Sequence, residues 1–362
     1  MAIGDSSYDT IGRMAAMKAM SIGITERRMV GNIKLFIERS LVEVCGGLGE
    51  HSLAWYEFKT ARRAYTKRQV AVEWREYCKD IAVAEEDDVL TRVEAIASLA
   101  SQLSGLSESM RSTVFDCLGF IHEPSRARVG FVYGFPNGMQ NPTTLNNILG
   151  LYAQDRIGFH PGVGSIFKLA YKIADCLHAV HCVGWLHKNL SSHNIAVFPT
   201  SFEANNVGSG SIRGSFVTGF QNNRPDELGQ YSVGPNEEGL YRHPSYQPNN
   251  SEPEGRGFRR AYDYYGLGLV LLEIGLWKPL WMIRRAHKDL SAELLRQKIT
   301  KKYVTQLEAF VGEVYQNAVM ACLDGSFDDL DMTTGEPDVD LSRTFAERVV
   351  QPLENCAGGK TA

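Results

Sequence analysis

The chemistry-bearing residues of this 362-residue chain are densest between Leu177 and Phe198, LHAVHCVGWLHKNLSSHNIAVF. A helical apolar stretch stops at a Gly184 turn and releases His187, Lys188, Asn189, Leu190 and Asn194 into a loop. An amide has no useful basicity, so Asn189 cannot take a proton from a substrate. About 25 residues on, the strand-like Phe216-Val217-Thr218 leads into Gly219-Phe220-Gln221, which offers no carboxylate to a metal. Upstream, Val70-Ala71-Val72-Glu73 reads as a strand whose carboxylate would repel phosphates. Arg75, two residues on, shares a strand face with Glu73, because side chains alternate. It reads either as a displaced cation or as a surface arginine. Gly46-Gly47-Leu48-Gly49 could cover a phosphate or form an ordinary hairpin turn, since a lone G-x-G is weak evidence. His181, His187 and His193 recur at six-residue steps. In a helix followed by a loop they share no face, and no H-E-x-x-H or cysteine cluster accompanies them, so they do not read as a metal site.

The elements that must position these residues change character along the chain. Residues 1–33 form an N-terminal extension with Met and Ala at helical spacing and Gly and Ser breaks. Residues 34–136 hold β-rich runs at 41–44, 53–58, 69–74, 115–121 and 128–135, with one amphipathic helix over 88–104. Residues 137–357 turn mostly helical, with helices expected at 144–152, 165–183, 263–276, 301–323 and 341–355. Residues 200–260 are rich in Asn, Gly, Ser and Pro and read as loop. Residues 358–362 are a short tail. A β-rich part followed by a helical part argues for an α+β fold of two lobes, with a ligand crevice between them.

Composition excludes several classes. Hydrophobic residues make up 44% and charged residues 22%, ordinary values for a globular chain. Net charge is −4, with 38 basic and 42 acidic residues, which gives no electrostatic reason to expect nucleic-acid binding. Seven scattered cysteines (45, 78, 117, 176, 182, 322 and 356) suit reduced, mostly buried thiols. The start MAIGDSSYDT lacks the pattern of a secretory signal, and no uncharged apolar run reaches 18 residues. A cytoplasmic chain without an integral membrane segment is the expectation.

The spacing of His187, Asn189, Leu190 and Asn194 resembles the H-R-D-L-x-x-x-N catalytic loop of protein kinases. The resemblance implies a bilobal kinase-like fold with a β-rich N-lobe and a helical C-lobe. It puts Asn189 at the proton-accepting Asp, Asn194 at the magnesium-holding Asn, and Gly219-Phe220-Gln221 at D-F-G. Glu73 falls at the phosphate-pairing Lys of V-A-I-K, Glu94 lies on the helix of that lysine's partner, and Gly47 and Gly49 fall near the phosphate-covering loop. Tyr133–Pro136 falls at the hinge, so Tyr133, Phe135, Asn194 and Arg75 are candidate ATP contacts, and Asn194 the candidate magnesium ligand. Leu240-Tyr241-Arg242-His243-Pro244-Ser245 resembles the segment ending in A-P-E, with Ser245 at the Glu. Asp263, with Gly268, matches the D-x-x-x-x-G start of the central helix, where the Asp braces the catalytic loop, and His187 is a core-packed loop anchor.

The phrases VAVEW, DCLGFIHEPSRARVGFVYGFP, GWLHKNLSSHNI, LYRHPSYQ and LVLLEIGLWKPL look like the kinase-like domain of fungal prion-inhibition and propagation (HeLo-associated) proteins. That resemblance covers roughly residues 40–357. It implies signalling in fungal incompatibility or cell death, often with an N-terminal helical HeLo-type domain. Fewer than 40 residues precede the kinase-like region, too few for that helical bundle. With base, metal ligand and lysine all replaced, the expectation is a pseudokinase that engages an unidentified protein partner. The alternative is an atypical kinase with weak activity, ATP held at the hinge and magnesium at Asn194.

Overall fold

Five strands in the first third of the chain assemble into one antiparallel sheet. The computed structural model describes residues 36–48, 51–59, 65–76, 113–126, 128–182, 184–199, 212–220, 224–225, 239–246, 258–327 and 339–358. Strands β1 (Val42–Leu48), β2 (His51–Lys59), β3 (Tyr65–Glu76), β4 (Asp116–Glu123) and β5 (Arg128–Gly134) pair in the order β1-β2-β3-β5-β4. Ala71 faces Tyr133 and Glu73 faces Phe131 across the β3–β5 ladder. Consecutive side chains leave a strand on opposite faces. Val70 and Val72 therefore pack with Ile37, Val42, Ala54, Ile121 and Val132 on one face. Ala71 goes to the other face, into the main core with Cys117, Phe131 and Tyr133. Burial on both faces explains why the Val70–Val72 run is apolar at every position.

Beyond the sheet the chain is helical: α1 (Leu145–Ala153), α2 (Val163–Cys182), α3 (Arg260–Leu276), α4 (Leu280–Ala286) and α5 (Ala292–Lys298), then α6 (Leu307–Val311), α7 (Glu313–Leu323), α8 (Val339–Phe345) and α9 (Gln351–Cys356). Thr144 caps α1 by accepting a hydrogen bond from the Asn147 amide. Arg260 through Gly275 of α3 are all buried, as its nearly all-apolar sequence requires. Two glycines let neighbours approach it. A Cβ on Gly268 would lie 2.7 Å from Cys322 Cβ, and one on Gly275 2.6 Å from Leu307 Cδ2. The Tyr315 hydroxyl then donates to the Leu271 carbonyl at 2.8 Å.

The fold is thus mixed α+β, with an antiparallel sheet in the N-terminal part and helices in the C-terminal part. The short strand β7 (Trp185–Leu186) pairs with Arg224–Pro225, and three others, β6 (Thr143–Thr144), β8 (Ile195–Pro199) and β9 (Ile212–Val217), form a second sheet in the order β6-β8-β9. The Val217 amide donates to Thr113 O at 2.7 Å, tying that sheet to the strand part.

Several expected elements differ. The helix expected over 301–323 is broken. Residues Ile299–Tyr303 form a π turn, Val304–Gln306 a 3-10 turn, and Gly312 at φ +89° separates α6 from α7. Between α8 and α9 a π turn, Ala346–Val350, precedes Pro352, whose missing N–H cannot continue the helical ladder. The loop-rich stretch 200–260 contains β9 and the 3-10 turn Pro244–Tyr246. Residues 1–33, the helix over 88–104 with Glu94, and Gly49 lie outside the described residues. Among the described residues no single helix is long and apolar enough to cross a membrane; α3 and α4 pass such a test only as a pair bent by 95°.

Candidate functional site

The loop from His187 to Asn194 is held from below by one carboxylate. Asp263 sits in the first turn of α3, where the helix N-terminus favours negative charge. It accepts hydrogen bonds from the amides of His187 and Lys188, both at 2.8 Å. His181 Nε2 lies 2.9 Å from its Oδ2. Lys188 adopts φ +69°, a left-handed conformation, so the chain turns just after these two amides. The His187 ring is buried 5.2 Å from the Phe220 ring. Burial pushes its pKa down to about 4, against the pull of Asp263, so the imidazole is neutral near pH 7.

Above the loop, side chains from the sheet meet residues just before β8 and just after β9. The Asn194 Nδ2 donates to Asn189 O at 2.8 Å. A carbonyl can only accept, so this contact fixes the amide with Oδ1 turned the other way. Oδ1 meets His51 Nε2 at 2.8 Å, and His51 must therefore donate from Nε2. The same nitrogen lies 3.2 Å from Thr218 Oγ1 and 4.0 Å from Glu73 Oε1. Glu73 is 1% exposed, and its Oε1 accepts from the Gly219 amide at 2.7 Å. Gly219 has φ +92°, and a Cβ there would lie 3.0 Å from Asn194 Cγ. His51, Glu73, Asn194, Thr218 and Gly219 thus form one buried polar cluster joining β2 and β3 to the helical part. The Glu73 charge adds to burial in pushing the Tyr133 phenol well above its usual range and the Cys117 thiol to about 12.

The structure brings Glu73, Asn189, Asn194 and Gly219 into this cluster or its edge, with His187, Phe220 and Asp263 directly beneath. The amide oxygen of Asn194, its one atom able to ligate a metal, is taken by His51. Among the described residues no group of three or more His, Cys, Asp or Glu could hold a metal ion. Tyr133 is buried beside Glu73. Phe135 belongs to the core, its ring 5.1 Å from Phe115 and 5.4 Å from Phe198. Both side chains are buried, and Tyr133 is paired with Ala71 on one side and Cys117 on the other. Gly47 pairs with Ser52 in the β1–β2 ladder, and a Cβ there would meet nothing within 4 Å. That is an ordinary strand position rather than a close backbone approach. Arg75 is half-buried opposite Val129, further along β3 than Glu73. Gly268 packs under Cys322 and Leu323, away from the cluster.

Sequence reasoning missed His51, which carries no motif and stands 143 residues from its partner Asn194. Its only signal is that it follows the Gly-rich turn before β2. A second buried network was also missed. The Tyr241 hydroxyl donates to Glu273 Oε2 at 2.8 Å and lies 2.8 Å from Ser192 Oγ, while the Leu280 amide donates to Glu273 Oε1 at 2.6 Å. Burial raises the Glu273 pKa to about 7, although these hydrogen bonds pull it down. Near Ser245, the His243 ring stacks on Tyr262 at 4.7 Å with the Arg296 guanidinium 3.0 Å away, a contact that anchors the segment without a Glu. On the outer side of the loop, Lys188, Asn189, Tyr241, Arg242 and Phe258 line a cleft of about 50 Å³. That holds a few waters rather than a side chain.

No protein-family model matches the chain, and no curated protein matches it.

Proposed function

We propose that this chain is a protein-kinase-like module, of the fungal HeLo-associated type its motifs resemble, that does not transfer phosphate and acts by binding a protein partner. The observation that carries the reading is the hydrogen bond from the Gly219 amide to Glu73, with His51 wedged between Glu73 and Asn194. In the kinase alignment Glu73 replaces the phosphate-pairing lysine, Gly219 the metal-binding Asp and Asn189 the base. Phosphoryl transfer depends almost wholly on positioned charge, so these three replacements remove the machinery. The surviving Asn194 has both amide atoms engaged inside the protein. A phosphate charge about 4 Å from the Glu73 carboxylate would meet a repulsion of roughly 4 kcal/mol at an effective dielectric constant near 20. The sheet order β1-β2-β3-β5-β4 and the Asp263 brace under the His187 loop support the kinase-like alignment.

The test is a thermal-shift titration with ATP, with and without magnesium, beside a radiolabelled ATP assay on the same protein. No stabilisation and no incorporation are expected. Magnesium-dependent incorporation that Asn194→Ala abolishes would refute the reading, and so would a saturable ATP shift that requires magnesium.

A further inference from the structure

The outer face of the sheet carries an arrangement that the cleft chemistry does not use. Glu123, at the end of β4, is 9% exposed and is surrounded by three arginines. Arg39 Nε donates to its Oε1, and Arg128 Nε donates to its Oε2 at 2.6 Å. Arg126 Nη1 lies 3.9 Å from Oε2. The Arg128 guanidinium also lies over the Trp74 ring, 3.7 Å from its centroid, and the Trp74 indole N–H donates to Ser52 Oγ at 3.0 Å. Arg39, Arg126, Arg128, Trp74 and Ser52 border a concavity of about 710 Å³, within the ordinary size range of ligand sites.

One carboxylate neutralises one guanidinium. Glu43, at the rim, is paired with Lys67 at 3.6 Å and adds no net charge. The lining itself holds three arginines against the one carboxylate of Glu43, so this border is predominantly positive on a chain whose net charge is −4. The geometry is also preorganised. Glu123 binds Arg128 through Nε, and stacking on Trp74 holds the guanidinium plane, which leaves its Nη edge without a partner among the described residues. A fixed planar fork of this kind matches the two oxygens of a carboxylate. Val44, 43% exposed, gives the border an apolar side that a peptide can cover.

We propose that this concavity receives an acidic segment of a partner protein, with closely spaced carboxylates set on Arg126 and Arg128. The site lies on the face of β3 opposite Glu73, so it stands or falls independently of nucleotide binding. The test is fluorescence anisotropy of a labelled octaglutamate peptide on the full chain at physiological ionic strength, with an octaglutamine peptide as control. Saturable binding of octaglutamate alone is expected. Arg126 is 65% exposed, so Arg126→Glu keeps the fold, and it should weaken binding roughly tenfold or more through like-charge repulsion. Arg285→Glu, a reversal on the exposed side of α4, should change it by less than about twofold. Binding should also change a tryptophan fluorescence signal that Trp74→Phe removes. Equal binding of octaglutamine, an equal loss from Arg285→Glu, or displacement by millimolar inorganic phosphate would each overturn the assignment.

Discussion

Replacing Glu273 with glutamine should change how stability depends on pH, and the change can be worked out from the structure. Glu273 is 1% exposed, and burial lifts its pKa from 4.5 to about 7. In the unfolded chain the carboxyl releases its proton near 4.5, whereas the folded chain keeps it until about 7. Stability from this group is therefore complete below pH 4.5 and is lost as pH rises through about 7. The difference corresponds to roughly 3 kcal/mol. Glutamine mimics the protonated acid, still accepting from the Leu280 amide and turning its NH2 toward Tyr241. It has no proton to lose. The stability of Glu273→Gln relative to the native chain should thus rise by about 3 kcal/mol between about pH 4.5 and 8. Urea unfolding followed by tryptophan fluorescence at a series of pH values measures this directly. Because all other groups titrate alike in both proteins, parallel profiles would refute the reasoning.

His187 should do the opposite. Burial holds its pKa at about 4 instead of 6.5, so its contribution is complete above pH 6.5 and is lost as pH falls through about 4. His187→Phe should flatten this acid limb by roughly 3 kcal/mol in the same urea series; an unchanged limb would contradict a buried neutral imidazole. Gly219→Asp, which restores a metal ligand by type, should yield no magnesium-dependent shift in melting temperature. It should also destabilise the fold by about 1–3 kcal/mol, because φ +92° and the approach to Asn194 disfavour any side chain. Gly268→Val should lower stability by about 1–3 kcal/mol or more in urea unfolding, since even its Cβ would press on Cys322 and Leu323.

The parts of this structure that were legible in the sequence are those governed by short-range pattern. The β3 run Val70–Val72, the strands at 116–123 and 128–134, and the buried helix headed by Asp263 all follow from periodicity within a window of a few residues. The H-x-N-L-x-x-x-N loop was visible because its residues share one turn of chain. His51 was not, because its meaning lies in Asn194 and Glu73, which reach it through the fold alone. The Tyr241–Glu273–Ser192 network was hidden for the same reason: three elements contribute one residue each. Helix continuity over 301–323 was misread because Gly312 interrupts an apolar period that resumes on the far side. The Arg39–Glu123–Arg128 cluster likewise joins the chain before β1 to the ends of β4 and β5, and no local spacing announces it.

Glu73 and Trp74 are consecutive residues of β3, one turned toward the helical part and the other toward the arginines. A single peptide unit separates the two environments. Among the described residues β3 is paired here with β5 alone, through Phe131 and Gly130, so one ladder carries both the carboxylate and the indole.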